Sequence, residues 1–176
     1  FTIKVNVIRI DPFNDEEALN YINMMIPNAT QDNIRELADL FGNIPLAVSQ
    51  GVAYITFNGA NIEEYVDEHN RLTSSPQLTS LYENEASDHR LGFHATMLMT
   101  LGKLSNEAKA MEMINLCSFL SADGIATSLF DGMFSSKLEK SKMVALLRGY
   151  SLVSVRLEGD NELIYVHRMV QQVARM

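Results

Sequence analysis

The sequence has little that would cross-link the chain or carry it through a membrane. Cys117 is the only cysteine among 176 residues, which excludes an internal disulfide and favours a reducing compartment. No apolar run approaches the roughly 20 residues that span a bilayer, and no apolar segment typical of a signal peptide follows Phe1. We therefore expect a cytoplasmic location and no membrane partner.

Positive charge is also scarce. The chain has 14 Lys and Arg residues against 22 Asp and Glu residues, which gives a net charge of −8. This balance disfavours a default affinity for nucleic acid or anionic membranes. Glycine and proline are few, at 9 and 4 residues, and 47% of the residues are apolar. Such a composition is typical of a globular chain that is long enough to bury a core.

The first residues alternate in polarity as a β-strand does. Residues 3–10 read Ile-Lys-Val-Asn-Val-Ile-Arg-Ile, and no neighbouring strand is predicted that could cover their open edge. The chain also lacks an initiator methionine. We therefore expect 1–11 to be the last strand of an α/β sheet whose other strands belong to a longer protein.

The rest of the chain is predicted to be mainly helical, beginning with a small bundle over 12–70. The signals that delimit its four helices are the N-caps Asn14, Thr30 and Asn61, the helix stop Gly42 and the helix start Pro45. A stretch rich in Ser and Thr follows, with Pro76 in its middle. This composition predicts a linker over 71–87.

Residues 88–176 predict a winged-helix domain. Helices are predicted over 88–104, over 106–120 with Ser105 or Asn106 as the cap, over 125–133 and over 138–149, and strands over 151–157 and 162–166. The polar turn between the two strands is a good hairpin signal. The order of three helices and a hairpin after residue 105 is that of a winged helix.

Sequence signatures of catalysis are absent. There is no Gly-x-x-x-x-Gly-Lys-Ser/Thr loop to hold a triphosphate and no Gly-x-Ser-x-Gly turn of a hydrolase. The four histidines are not spaced as metal ligands on one helix face, being His69, His89, His94 and His167. Cys117 lies among apolar helix positions and is interpreted as a buried hydrophobe. We expect neither a metal site nor enzymatic activity from this chain by itself.

Two segments of the sequence are more informative about function. Gly42-Asn-Ile-Pro-Leu-Ala-Val48 is a helix stop, a rigid turn and a helix start, and His167 lies between a strand and the last helix. At this separation the two segments resemble the nucleotide-binding module of the NB-ARC class of STAND signalling ATPases. In that family a Gly-x-Pro-Leu-Ala segment packs its proline on adenine, and a winged-helix histidine of a Met-His-Asp motif reaches the β-phosphate of ADP.

The resemblance covers nearly the whole chain and implies a function. Pro45 and His167 would contact ADP or ATP in the full-length protein, and no nucleotide is expected on this chain alone. The partners implied are a P-loop domain before the chain, tetratricopeptide repeats after it, and further copies on self-association. The sequence departs from the family where Arg168 replaces the acid of the last motif and Val166 replaces its methionine.

Three alternatives remain open at this stage. His167 could serve only to cap the last helix or to bond a backbone carbonyl. The winged helix could read DNA through its basic residues Lys137, Lys140, Lys142, Arg148 and Arg156. The chain could also be a protein-interaction scaffold that binds no nucleotide.

Overall fold

The computed structural model describes residues 11–80 and 88–176, with side chains in the second range from residue 91 onward. The fold is mainly helical, with a small three-stranded antiparallel sheet. The strand predicted over 3–10 and residues 81–87 of the predicted linker lie outside the described residues. No helix in the described ranges is long and apolar enough to cross a membrane.

Four helices form the first bundle, and their ends follow from local capping. They are α1 (Asp15–Met25), α2 (Gln31–Phe41), α3 (Pro45–Asn58) and α4 (Ile62–Thr73). Asn14 and Glu17 form a reciprocal capping box, with both N–H···O distances 2.9 Å. Thr30 and Asn61 accept backbone N–H groups in the same way. All three predicted N-caps are therefore confirmed.

Helix α3 is the centre of this bundle because it is apolar on nearly all sides. Pro45 occupies its first turn, where a missing N–H costs nothing. Its middle is buried against α2 so closely that a Cβ added at Gly51 would lie 2.0 Å from the Phe41 ring. Only glycine fits this crossing of the two helices.

Helix α6 (Asp88–Leu104) joins the bundle to the second half of the chain, after the short helix α5 (Pro76–Thr79). It packs against α2, α3 and α4 on one side and against α7 (Ala108–Ser118) and α9 (Arg168–Ala174) on the other. Two buried polar contacts fix it to α4. The Tyr65 and Thr96 hydroxyls lie 3.0 Å apart, and His69 Nε2 lies 2.9 Å from the Gly92 carbonyl oxygen.

The second half has the connectivity of a winged helix. After α7 come strand β1 (Ile125–Ala126), a 3-10 helix (Thr127–Met133), α8 (Lys137–Gly149), strands β2 (Val153–Glu158) and β3 (Asn161–Val166), and α9. The strand order is β1-β3-β2, with β3 antiparallel to both neighbours. The predicted hairpin is confirmed, with Gly159 in the left-handed region at its turn.

Two local predictions in this half are wrong. Residues 125–133 do not form one helix, because Ile125 is buried and pairs with Ile164 of β3 before the 3-10 helix begins. Neither Ser105 nor Asn106 caps α7. That helix begins one residue after Glu107, without a side-chain cap, while the Ser105 hydroxyl donates to the Gly102 carbonyl of α6.

Candidate functional site

A pocket of about 500 Å³ lies where the start of α3 faces the junction of β3 and α9. Its lining residues come from the bundle, from α6 and from the winged helix, and are Ile44, Pro45, Leu46, Ser49, Phe93, His167 and Met169. The two residues singled out in the sequence, Pro45 and His167, therefore share one pocket. The other walls are mostly apolar, and its volume is in the range of small-molecule sites.

The Pro45 wall is rigid because the turn before it is held at several points. Gly42 and Asn43 both have positive φ, at 58° and 56°. The Asn43 amide donates to the Asp15 carboxylate at 2.7 Å, and its carbonyl accepts the Phe13 N–H at 3.0 Å. The backbone before Pro45 therefore has a defined conformation, which the contact between Asn43 and Asp15 of α1 stabilises.

His167 has the capping role that the sequence left open as one alternative. It is the N-cap of α9, and its Nδ1 accepts the Met169 N–H at 3.1 Å. Because Nδ1 is an acceptor there, the proton of the neutral imidazole belongs on Nε2, which is left as a donor. Partial burial lowers the pKa of His167 below its usual 6.5, so the ring is neutral at pH 7.

Helix α9 is anchored so that His167 keeps its place. The Gln171 amide is buried and donates to the Cys117 and Leu120 carbonyl oxygens of the α7 end, at 2.8 and 3.0 Å. The Arg175 guanidinium donates to the Ser118 carbonyl in the same region. These contacts hold α9, and with it the backbone of His167, against the end of α7 in the winged helix.

A second pocket of about 420 Å³ shares Leu46 and His167 with the first. It is more polar and lies on the outer face of the β2–β3 hairpin. Ser154 and Tyr165 are paired across the two strands, and Arg156 follows on the same face. The Arg156 guanidinium carbon lies 4.7 Å from the centre of the Tyr165 ring, a cation–π distance.

The two halves of the site are held together by contacts between α3 and the end of α8. The Tyr150 hydroxyl donates to the Asn58 side chain at 2.9 Å, and the Tyr150 and Phe57 rings are 4.7 Å apart. The Gln50 amide, 1% exposed, donates to the Ser151 carbonyl at 3.4 Å. Sequence reasoning missed these residues. A single glutamine, Gln50, within an otherwise apolar helical segment was the one sequence signal that could have predicted a polar contact there.

The remaining histidines and the cysteine have structural surroundings. His69 and His94 are buried, and the side chain of His89 lies outside the described residues. Burial raises the pKa of the Cys117 thiol to about 12, as expected of a buried hydrophobe rather than a nucleophile. No group of three or more metal-ligating side chains occurs among the residues that the structure describes.

The basic residues of α8 are only partly available to a partner. Lys140 donates to the Asp131 carboxylate and to the Thr127 carbonyl oxygen, and its side chain is 14% exposed. Lys137, Lys142 and Arg148 are exposed on α8. Lys140, one of the basic residues that suggested DNA binding, is therefore engaged in contacts within the chain.

No protein-family model matches the chain, and no curated protein matches it. The candidate site is therefore defined by its own residues. It combines an apolar pocket walled by Pro45, a polar pocket beside it, and His167 between the two with one ring nitrogen available as a donor.

Proposed function

We propose that this chain is the regulatory part of an ADP/ATP-switched signalling protein of the NB-ARC type. In this proposal, the pocket between Pro45 and His167 takes part of the bound nucleotide in the closed state. The observation that carries it is that these two residues, far apart in the sequence, line one pocket. They are also the residues to which the family resemblance assigns the nucleotide contacts.

The chemistry of the pocket suits the two ends of a nucleotide. Pro45, Phe93 and Met169 offer flat or polarizable apolar surface for a purine ring. The Nε2 donor of His167 offers a hydrogen bond to a phosphate oxygen.

The proposed switch follows from where the two contacts are. Pro45 belongs to the bundle, whereas His167 belongs to the winged helix, so a nucleotide that touches both favours the closed arrangement. A ligand shifts such an equilibrium only by its differential affinity for the two states. Exchange of ADP for ATP would remove the histidine contact, release the winged helix and permit self-association of the cytoplasmic protein.

Other parts of the full-length protein complete this proposal. A P-loop domain would hold the phosphates, and tetratricopeptide repeats would follow the winged helix. In this proposal the role of the chain at the pocket is nucleotide binding and regulation rather than catalysis.

The test is the rate of ADP release from the full-length protein that carries this chain. His167→Ala removes both the imidazole and the helix cap. His167→Asn keeps a side chain that caps helices well but removes the Nε2 donor. Arg168→Ala is the matched control, because Arg168 is the exposed neighbour that does not line the pocket.

We expect both His167 variants to release ADP about tenfold faster, since a hydrogen bond to a charged group contributes roughly 1.5 kcal/mol or more. Arg168→Ala should match the unmodified protein, and signalling in the absence of stimulus should rise only in the His167 variants. An unchanged release rate in His167→Asn would refute the phosphate contact. Absence of any ADP binding would favour the scaffold alternative.

A further inference from the structure

The polar pocket on the outer face of the hairpin lies beside the proposed nucleotide pocket. It shares Leu46 and His167 with the apolar pocket, so the two pockets are adjacent. Its lining includes the polar side chains of Ser154, Arg156 and Tyr165, together with Asp123 from the turn after α7. The two pockets thus differ in chemistry while sharing a wall.

The Arg156 guanidinium lies over the Tyr165 ring. The guanidinium carbon lies 4.7 Å from the ring centre, and the Tyr165 hydroxyl donates to the Glu158 carboxylate, which holds the ring in place. A guanidinium that contacts an aromatic ring can still offer N–H groups to an anion. Within the described ranges, no carboxylate lies within ion-pair distance of Arg156.

The lining of this pocket suits the polar end of a ligand. Ser154 supplies a hydroxyl beside Arg156, and the His167 ring forms the boundary with the apolar pocket. Among the described residues, Asp123 is the one acidic side chain in the lining, and its carboxylate fits sugar hydroxyl groups better than a phosphate.

We propose that Arg156 is a phosphate-binding residue of this site, so that a nucleotide lies with its base against Pro45 and its phosphate end toward the hairpin. This inference rests on the function proposed above and adds to it a residue that the family resemblance does not assign. A guanidinium can bind two phosphate oxygens at once and so distinguishes ADP from adenosine. The winged helix then contributes a charged contact in addition to His167.

The test compares two ligands in the full-length protein. Dissociation constants for ADP and for adenosine are measured with the unmodified protein and with Arg156→Ala, Arg156→Lys and Arg148→Ala. Arg148 is the control because it is an exposed arginine on α8 that lies outside both pocket linings. Arg156 is exposed on the hairpin, so that its removal leaves the core intact.

Arg156→Ala should weaken ADP binding about tenfold and leave adenosine binding unchanged. Arg156→Lys keeps the charge without the planar fork, so it should retain part of the ADP affinity, and Arg148→Ala should change neither ligand. An Arg156→Ala variant with unchanged ADP affinity, or with equal losses for both ligands, would overturn the inference. If His167→Asn still released ADP faster in that case, the proposed function would stand without it. Absence of binding by either ligand would refute both.

Discussion

His69 is a buried imidazole whose titration should make the stability of the chain depend on pH. It is 1% exposed, Nε2 lies 2.9 Å from the Gly92 carbonyl oxygen, and Nδ1 has no hydrogen-bond partner in the described structure. Burial lowers its pKa below the usual 6.5, although the bond to Gly92 acts in the opposite direction. The folded state therefore resists a proton that the unfolded state accepts.

The free energy of unfolding should accordingly fall as the pH decreases from 7 through 6.5 to 5. Well above pH 6.5 both the folded and the unfolded state are neutral at His69, and its contribution to the pH dependence vanishes. His69→Gln keeps a donor for Gly92 without a titration, so its profile should be flatter. A slope remains, because the pKa of His167 is also lowered. Urea unfolding followed by circular dichroism measures this, and equal slopes for both proteins would contradict the account.

Residue-level predictions succeeded where the cause is local. Asn14, Thr30 and Asn61 cap helices because a short polar side chain reaches N–H groups within three residues. The cap made by His167 remained one of several alternatives, because histidine is not a common N-cap. In the structure its Nδ1 accepts the Met169 N–H. Its pocket position depends on distant residues that no local pattern encodes.

At the scale of elements, two helical glycines should respond oppositely to alanine. A Cβ at Gly51 of α3 would lie 2.0 Å from the Phe41 ring, which is 1% exposed and has no room to move. A Cβ at Gly102 of α6 would meet nothing within 4 Å. The first glycine permits two helices to cross, and the second merely weakens a helix.

Gly51→Ala should therefore destabilise the chain by about 1–3 kcal/mol through overpacking. Gly102→Ala should stabilise it by roughly 0.5–1 kcal/mol, because alanine loses less backbone entropy in a helix. The shift of the urea unfolding midpoint measures both. A stabilising Gly51→Ala would show that α2 and α3 are not in the contact described.

Helix and strand assignments from periodicity failed where pairing is non-local. Residues 125–133 have the composition of a helix, yet Ile125 and Ala126 pair with Ile164 and Leu163. Gly124, in the left-handed region, redirects the chain into this pairing. The hairpin was predictable because its two strands are adjacent in sequence, whereas the β1 pairing spans the whole of α8.

For the whole molecule, the junction of α3 and α8 should determine how firmly the winged helix docks on the bundle. Tyr150→Phe removes the hydroxyl that bonds Asn58 and keeps the ring against Phe57. Tyr165→Phe is the matched control, because it removes a hydroxyl that bonds only within the hairpin. Loss of one hydrogen bond, about 1 kcal/mol, changes a docked-to-undocked ratio about fivefold.

Spin labels on cysteines at two exposed positions can follow this docking. Met24 on α1 is 67% exposed and Leu157 on β2 is 77% exposed, while Cys117 is buried. The distance distribution between the labels should gain a longer component in Tyr150→Phe and remain unchanged in Tyr165→Phe. Identical distributions in both variants would show that docking does not depend on the Tyr150–Asn58 bond.

The meeting of Pro45 and His167 could be predicted only through the family resemblance. Physically it depends on long-range contacts such as Gln50 with Ser151 and Tyr150 with Asn58. Neither pair has a signature in hydrophobic periodicity or capping. The same limit explains why Arg156 was assigned to a basic group on the winged helix and not to a pocket.

The central claim, that ADP lies in the pocket shared by Pro45 and His167, is tested most directly by methyl NMR of the full-length protein labelled at methionine. Met169 lines the pocket, while Met24 is exposed on α1, lies outside both pocket linings and serves as the reference. We predict that ADP shifts the Met169 methyl resonance with the same midpoint as binding and leaves that of Met24 unchanged. An unshifted Met169 resonance at saturating ADP would contradict the account.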